Sequence, residues 1–189
     1  MDNEKLNILR LLIENQEKAF SIRQIGIFRD INYKSAYQNL KGLEKEKVVT
    51  LKKQGNSTMC SFNQKFNISV FEVEYTRLKE LLKNKNFLVI YNDLLKINAQ
   101  FILLLFGSYA KGSQTKHSDI DLLLITDDPK PIETKIDLIP LKIHLTHITY
   151  ESFRQMLNSK EFSVVSEAIK KNMILFGIED YYRLVNNAR

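Results

Sequence analysis

The sequence predicts an α+β protein in two parts: a small helical unit closed by a β-hairpin, and a larger unit in which a mixed sheet is flanked by helices. Three observations lead there. Helical periodicity fills residues 3–45 and is followed by two short β-type runs around a Gly-Asn turn. Two six-residue runs without alternation, 101–106 wholly apolar and 120–125 apolar apart from Asp121, have the composition of strands covered on both faces. Helical segments precede and follow these runs, and 189 residues are enough for two small domains.

In the first part, Leu6, Leu9, Leu12 and Ile13 recur at helical spacing, so residues 3–16 should form a helix with one buried stripe. Ser21 offers an N-cap to a second helix carrying Ile22, Ile25 and Ile27. Asn32 does the same for a third helix, whose inner face is marked by Tyr37, Leu40 and Leu43 and whose other faces carry Lys34, Lys41 and Lys45. Residues 48–51 and 58–62 are short strands on either side of Gln54-Gly55-Asn56-Ser57. Three helices and then a hairpin is the order of a winged helix-turn-helix, in which the third helix is offered to a DNA major groove. The charge agrees with this. Residues 1–65 hold 12 Lys and Arg against 7 Asp and Glu, whereas the rest of the chain is nearly balanced at 16 against 15. Lys34 and Lys41 are the expected nucleic-acid contacts.

Residues 66–98 read as a helical linker, with Phe71, Tyr75, Leu78 and Leu82 on one stripe and a polar break at Lys83-Asn84-Lys85-Asn86. The second domain then covers 99–189. Its strands are expected at 101–106, 120–125, 143–149 and 173–176, and its helices at 150–157, at 161–171 and after Gly177. No apolar run approaches the ~18 residues of a membrane span, and the acidic start MDNEKLNILR has no secretory pattern. A cytoplasmic protein without membrane contact is therefore expected. A single cysteine, Cys60, excludes an intramolecular disulfide framework, and with only three His it leaves too few ligands for structural zinc.

The chemistry is concentrated in FGSYAKGSQTKHSDIDLLLI, residues 106–125. In a strand, Asp119 and Asp121 share a face while Ile120 points the other way. At a separation of roughly 6.5–7 Å and an effective dielectric of ~20, the two carboxylates repel by about 2–3 kcal/mol. A positive group should lie between them: Lys111, Lys116, His117 or a divalent cation. A hard, oxygen-only pair suits magnesium that keeps waters and takes other ligands from phosphates. Upstream, Gly107-Ser108 follows a buried strand, and the next residues can form a short helix whose free N–H groups face the strand end. That is a phosphate-binding turn, with Gly107 allowing close backbone approach and Gly112 a tight exit. Gly107 and Gly112 have the Walker glycine spacing, but the turn is not a Walker loop, because Ser113-Gln114 follows Gly112 where that loop has Lys and then Ser or Thr.

Gly107-Ser108-Tyr109-Ala110-Lys111-Gly112 followed by Ser118-Asp119-Ile120-Asp121-Leu122 resembles the signature of minimal nucleotidyltransferase domains of the DNA polymerase beta superfamily. The end of the chain, Leu175 to Glu179 and then Tyr181-Tyr182, is similar to the close of such domains, and the N-terminal third resembles winged-helix modules fused ahead of them. The resemblance implies a winged helix followed by a nucleotidyltransferase-type mixed sheet. It implies that Ser108 holds the phosphates of a nucleoside triphosphate with help from Gly107, Tyr109 and Lys111, and that Asp119 and Asp121 hold Mg2+ or Mn2+. The family places a third carboxylate on the next strand. Residues 143–149 contain no acid, so Asp137 is the nearest alternative if 135–139 is the strand, and His144 is a lesser one as a base. Implied acceptors are a protein such as a partner toxin, a nucleic acid or a small molecule, and a homodimer is a further expected partnership. A second reading makes the chain a DNA-binding regulator whose degenerate transferase domain senses nucleotide.

Overall fold

The computed structural model describes residues 3–158 and 164–187. The chain divides into two compact units, Met1–Val73 and Glu74–Arg189. The first contains α1 (Glu4–Glu14), β1 (Phe20–Ser21), α2 (Ile22–Arg29), α3 (Tyr33–Lys45), β2 (Val49–Gln54) and β3 (Ser57–Phe62). Local chemistry sets the helix starts. Ser21 and Gln24 form a reciprocal capping box at α2, and the Asn32 side chain accepts from the Ser35 N–H at 2.9 Å to cap α3. Leu9 and Leu12 of α1, Ile22 and Ile25 of α2, and Leu40 and Leu43 of α3 are all buried. The hairpin runs from Val49 opposite Phe62 to Gln54 opposite Ser57, turning through Gly55 at φ +57°.

Four details of this unit differ from expectation. A third strand, β1, pairs Phe20 with Cys60 and gives the sheet order β1-β3-β2; two residues are too few to carry a period. The inner face of α3 is Ala36, Leu40 and Leu43, which leaves Tyr37 40% exposed, and Ile27 of α2 is 70% exposed. In α1, Ile8 rather than Leu6 completes the buried stripe. Cys60 is fully buried, and that burial, with Glu44 nearby, pushes its thiol up to about 12. It is a packed side chain and not a nucleophile.

Helix α4 (Ile68–Leu81) crosses the boundary between the units. It is followed by α5 (Lys85–Leu94), β4 (Ile102–Leu105), α6 (Gly107–Lys111), β5 (Ile120–Ile125), α7 (Lys130–Asp137), β6 (Ile143–Ile148), α8 (Tyr150–Asn158), α9 (Val164–Lys170), β7 (Met173–Phe176) and α10 (Ile178–Asn187). The sheet order is β6-β5-β4-β7. β4 is antiparallel to β5 and to β7, while β6 runs parallel to β5, and α7 lies in the crossover that a parallel pair requires. Leu103 and Leu105 of β4 and Ile120, Leu122 and Leu124 of β5 share a core with Phe87, Ile90 and Leu94 of α5 and Ile132 and Ile136 of α7. α5, expected as linker, is thus part of this unit's core. The first residues of the helix expected at 161–171 lie outside the described residues.

Two further expectations are corrected, in α4 and in α7. Leu78 of the expected α4 stripe is buried, but Phe71 and Tyr75 are 42% and 46% exposed, and the stripe is made instead with Val70, Val73, Glu74 and Arg77. A buried Glu-Arg pair on that stripe hid it from a reading based on apolar spacing. Arg77 donates to Glu74 at 2.6 Å and to the Asn172 carbonyl at 2.8 Å, and the Tyr182 hydroxyl donates to Glu74 at 2.6 Å. Asp137 is not on a strand: it ends α7 and is exposed. Pro129 starts that helix and Pro140 follows it, and both suit helix boundaries better than a strand interior.

Candidate active site

β4 delivers the chain into the tight turn at Gly107 and β5 returns alongside, with the Phe106 N–H donating to the Asp121 carbonyl at 3.0 Å. Gly107 sits at φ +67°, and a Cβ there would lie 3.0 Å from the Asp121 Cγ and overlap its carboxylate. Only glycine fits both the dihedral and the space. Ser108 is the next residue, at the start of the one-turn helix α6, which closes when Gly112 at φ +70° donates to the Ser108 and Tyr109 carbonyls. The Gly-Ser turn and Asp121 are therefore in direct contact.

Asp119 precedes the first residue of β5, and Asp121 is its second. Ile120 between them is buried in the α5–α7 core, so the two carboxylates look away from that core. Parallel pairing sets Ile143 opposite Ile120 and His144 opposite Asp121. His144 Nδ1 lies 3.3 Å from Asp121 Oδ1, and Lys142 Nζ lies 3.6 Å from Asp119 Oδ1. The Asp119 side chain is 54% exposed and that of Asp121 is 28% exposed. Both can reach a ligand from solvent, Asp121 from a walled position. Where the family resemblance calls for a third carboxylate, the register offers His144.

The structure thus brings together Gly107, Ser108, Asp119 and Asp121, and adds His144 and Lys142. It does not bring in Asp137. Tyr109 turns its ring edge-on to Phe87 at 5.4 Å, leaving its backbone in the turn. The Lys111 ammonium is bonded to Glu167 of α9. Lys142 escaped the sequence reading because its role depends on the parallel register of β5 and β6, which no local pattern encodes. In the first unit, Lys34 is exposed on α3, while Lys41 donates to Glu44 at 2.7 Å, a bond that raises its pKa.

The donors present fit magnesium or manganese. Two carboxylates on one strand face are hard oxygen ligands, and the neighbouring turn has no side chain at Gly107 to obstruct phosphate. Among the described residues no cluster of three ligating side chains forms, so the other coordination positions would fall to phosphate oxygens and water.

Residues 90–182 match the model of the family described as nucleotidyltransferase domain. The match runs from α5 to α10 and contains the whole of this site, and nucleotidyl transfer is the general chemistry it supports. A solved structure described as "Crystal structure of the toxin-antitoxin with AMP-PNP" is similar at 18% identity and a TM-score of 0.36, covering 54% of this chain and 82% of that one. No curated protein matches the chain.

Proposed function

We propose that the protein is a magnesium-dependent nucleotidyltransferase that moves a nucleoside monophosphate from a nucleoside triphosphate to an acceptor hydroxyl. The observation that carries this reading is the contact between the side-chain-free Gly107 turn and Asp121, inside the segment that matches the transferase family. Ser108 and the backbone of Gly107 and Tyr109 would bind the triphosphate. Asp119 and Asp121 would hold the cation, which when bound offsets the charge building on the attacking and leaving oxygens. The acceptor oxygen bonds to the α-phosphorus in line, the α–β bridging bond breaks, pyrophosphate departs with that electron pair, and the acceptor proton passes to water. Lys142 beside Asp119 would limit carboxylate repulsion before the cation arrives.

We further infer that the first unit is a winged helix, a reading supported by its order of three helices and a hairpin and by its basic balance. Its third helix, α3, would present Lys34 to a phosphate backbone. Lys41 is the weaker candidate, since Glu44 already engages it.

Calorimetric titration of magnesium and each nucleoside triphosphate into wild type and Asp121→Asn tests the transferase reading. Binding that requires metal and disappears in the variant is the expected outcome. If the variant binds as wild type does, the site lies elsewhere.

A further inference from the structure

A cavity of about 220 Å³ opens beside the starts of β5 and β6. Buried Ile120 and half-buried Tyr109 and Leu141 give it an apolar floor, while the exposed Lys116, His117 and Lys142 give it a basic rim. No Asp or Glu lines it. The edge-on packing against Phe87 holds the Tyr109 ring in place. A pocket that encloses a whole small molecule occupies about 300–1,000 Å³, so this one takes only the end of a larger ligand. An apolar floor beside two lysines matches one nucleotide of a strand, with the base on the floor and the phosphates at the rim. A protein side chain bearing a hydroxyl would have no use for a rim of two lysines.

Lys142 connects this cavity to the carboxylates, because it lines the rim and its Nζ lies 3.6 Å from Asp119. We propose that the cavity seats the terminal nucleotide of a single-stranded nucleic-acid acceptor, with the terminal hydroxyl directed past Lys142 toward Asp119. This rests on the transferase reading and names its acceptor class. The transferred group ends on that hydroxyl, and the bonds made and broken are those already given.

The test is fluorescence anisotropy on the full-length protein with a short single-stranded oligonucleotide labelled at its 5′ end. Wild type is compared with Lys116→Glu/His117→Glu, after matched unfolding midpoints show that the variant is folded. The expected result is a loss of about tenfold or more in affinity and a salt slope smaller by about 1 for each phosphate contact removed. A strand lacking its terminal base should bind wild type several-fold more weakly than the intact strand. Equal affinity of wild type and variant overturns the proposal, as does equal binding of the intact and abasic strands. Transfer of label from the nucleoside triphosphate to a protein and not to the strand also overturns it. If wild type binds no magnesium nucleotide by calorimetry, it is the transferase reading that fails, and the two failures are told apart.

Discussion

Gly107 is the residue on which the candidate site depends most directly. Its left-handed backbone and its contact with Asp121 leave no space for a methyl group, so Gly107→Ala must either distort the turn or displace the carboxylate. We expect a loss of about 1–3 kcal/mol of stability, read by urea unfolding, together with loss of metal-dependent nucleotide binding in calorimetry. Gly55→Ala in the hairpin turn is the control. Its φ is also positive, but no atom lies within 4 Å of the added methyl group, so it carries the backbone strain without the contact. The residues of this site were legible in the sequence because the Gly-Ser turn and the two aspartates are local and their chemistry is unusual for a buried hairpin. His144 and Lys142 are different. Their place beside Asp121 and Asp119 comes from a register between strands separated by a helix, and only the folded sheet reveals it.

Among the elements, α4 and α10 are joined by the least expected interactions. Glu74, Arg77, Asn172, Tyr181 and Tyr182 form a buried polar network, and Asn172 donates to the Ala168 carbonyl at 2.7 Å and to the Tyr181 hydroxyl at 3.1 Å. Glu74→Ala removes a carboxylate partner of Arg77 from the interior and should cost about 3–5 kcal/mol. Tyr182→Phe removes one donor to Glu74 and should cost about 1–3 kcal/mol, both measured by denaturant unfolding. Burial, and then Glu74, raise the Tyr182 pKa well above its ordinary value. The stability linked to this group is therefore fully present below about pH 10, where an unfolded tyrosine titrates, and is lost as pH rises toward the folded value. The slope of stability against pH above 10 should be shallower in Tyr182→Phe. Most helices and strands of the chain could be read from period and caps, with Ser21, Asn32 and the apolar runs of β4 and β5 as the clearest signals. α7 was missed because Lys130 to Asp137 carries only two buried positions, Ile132 and Ile136, too few to establish a period.

At the scale of the molecule, charge separates the two parts of the chain. The surplus of Lys and Arg in residues 1–65 predicts that duplex DNA binding, measured by anisotropy, weakens steeply between 50 and 200 mM salt, and that Lys34→Glu lowers the slope by about 1. Binding indifferent to salt would make the first unit a protein-contact module. No helix among the described residues is long and apolar enough to cross a membrane.

The strand order β6-β5-β4-β7 also bears on how the chain is made. β4 and β5 leave the ribosome as a hairpin carrying the complete Gly-Ser turn and both aspartates, but the outer edge of β4 has no partner until Met173 to Phe176 follow, about seventy residues later. During that interval Leu103, Leu104 and Leu105 present a row of open hydrogen-bonding groups on wholly apolar residues, the combination that recruits strands from other chains. A nascent chain halted before β7 would thus hold every residue of the candidate site and still be prone to aggregate.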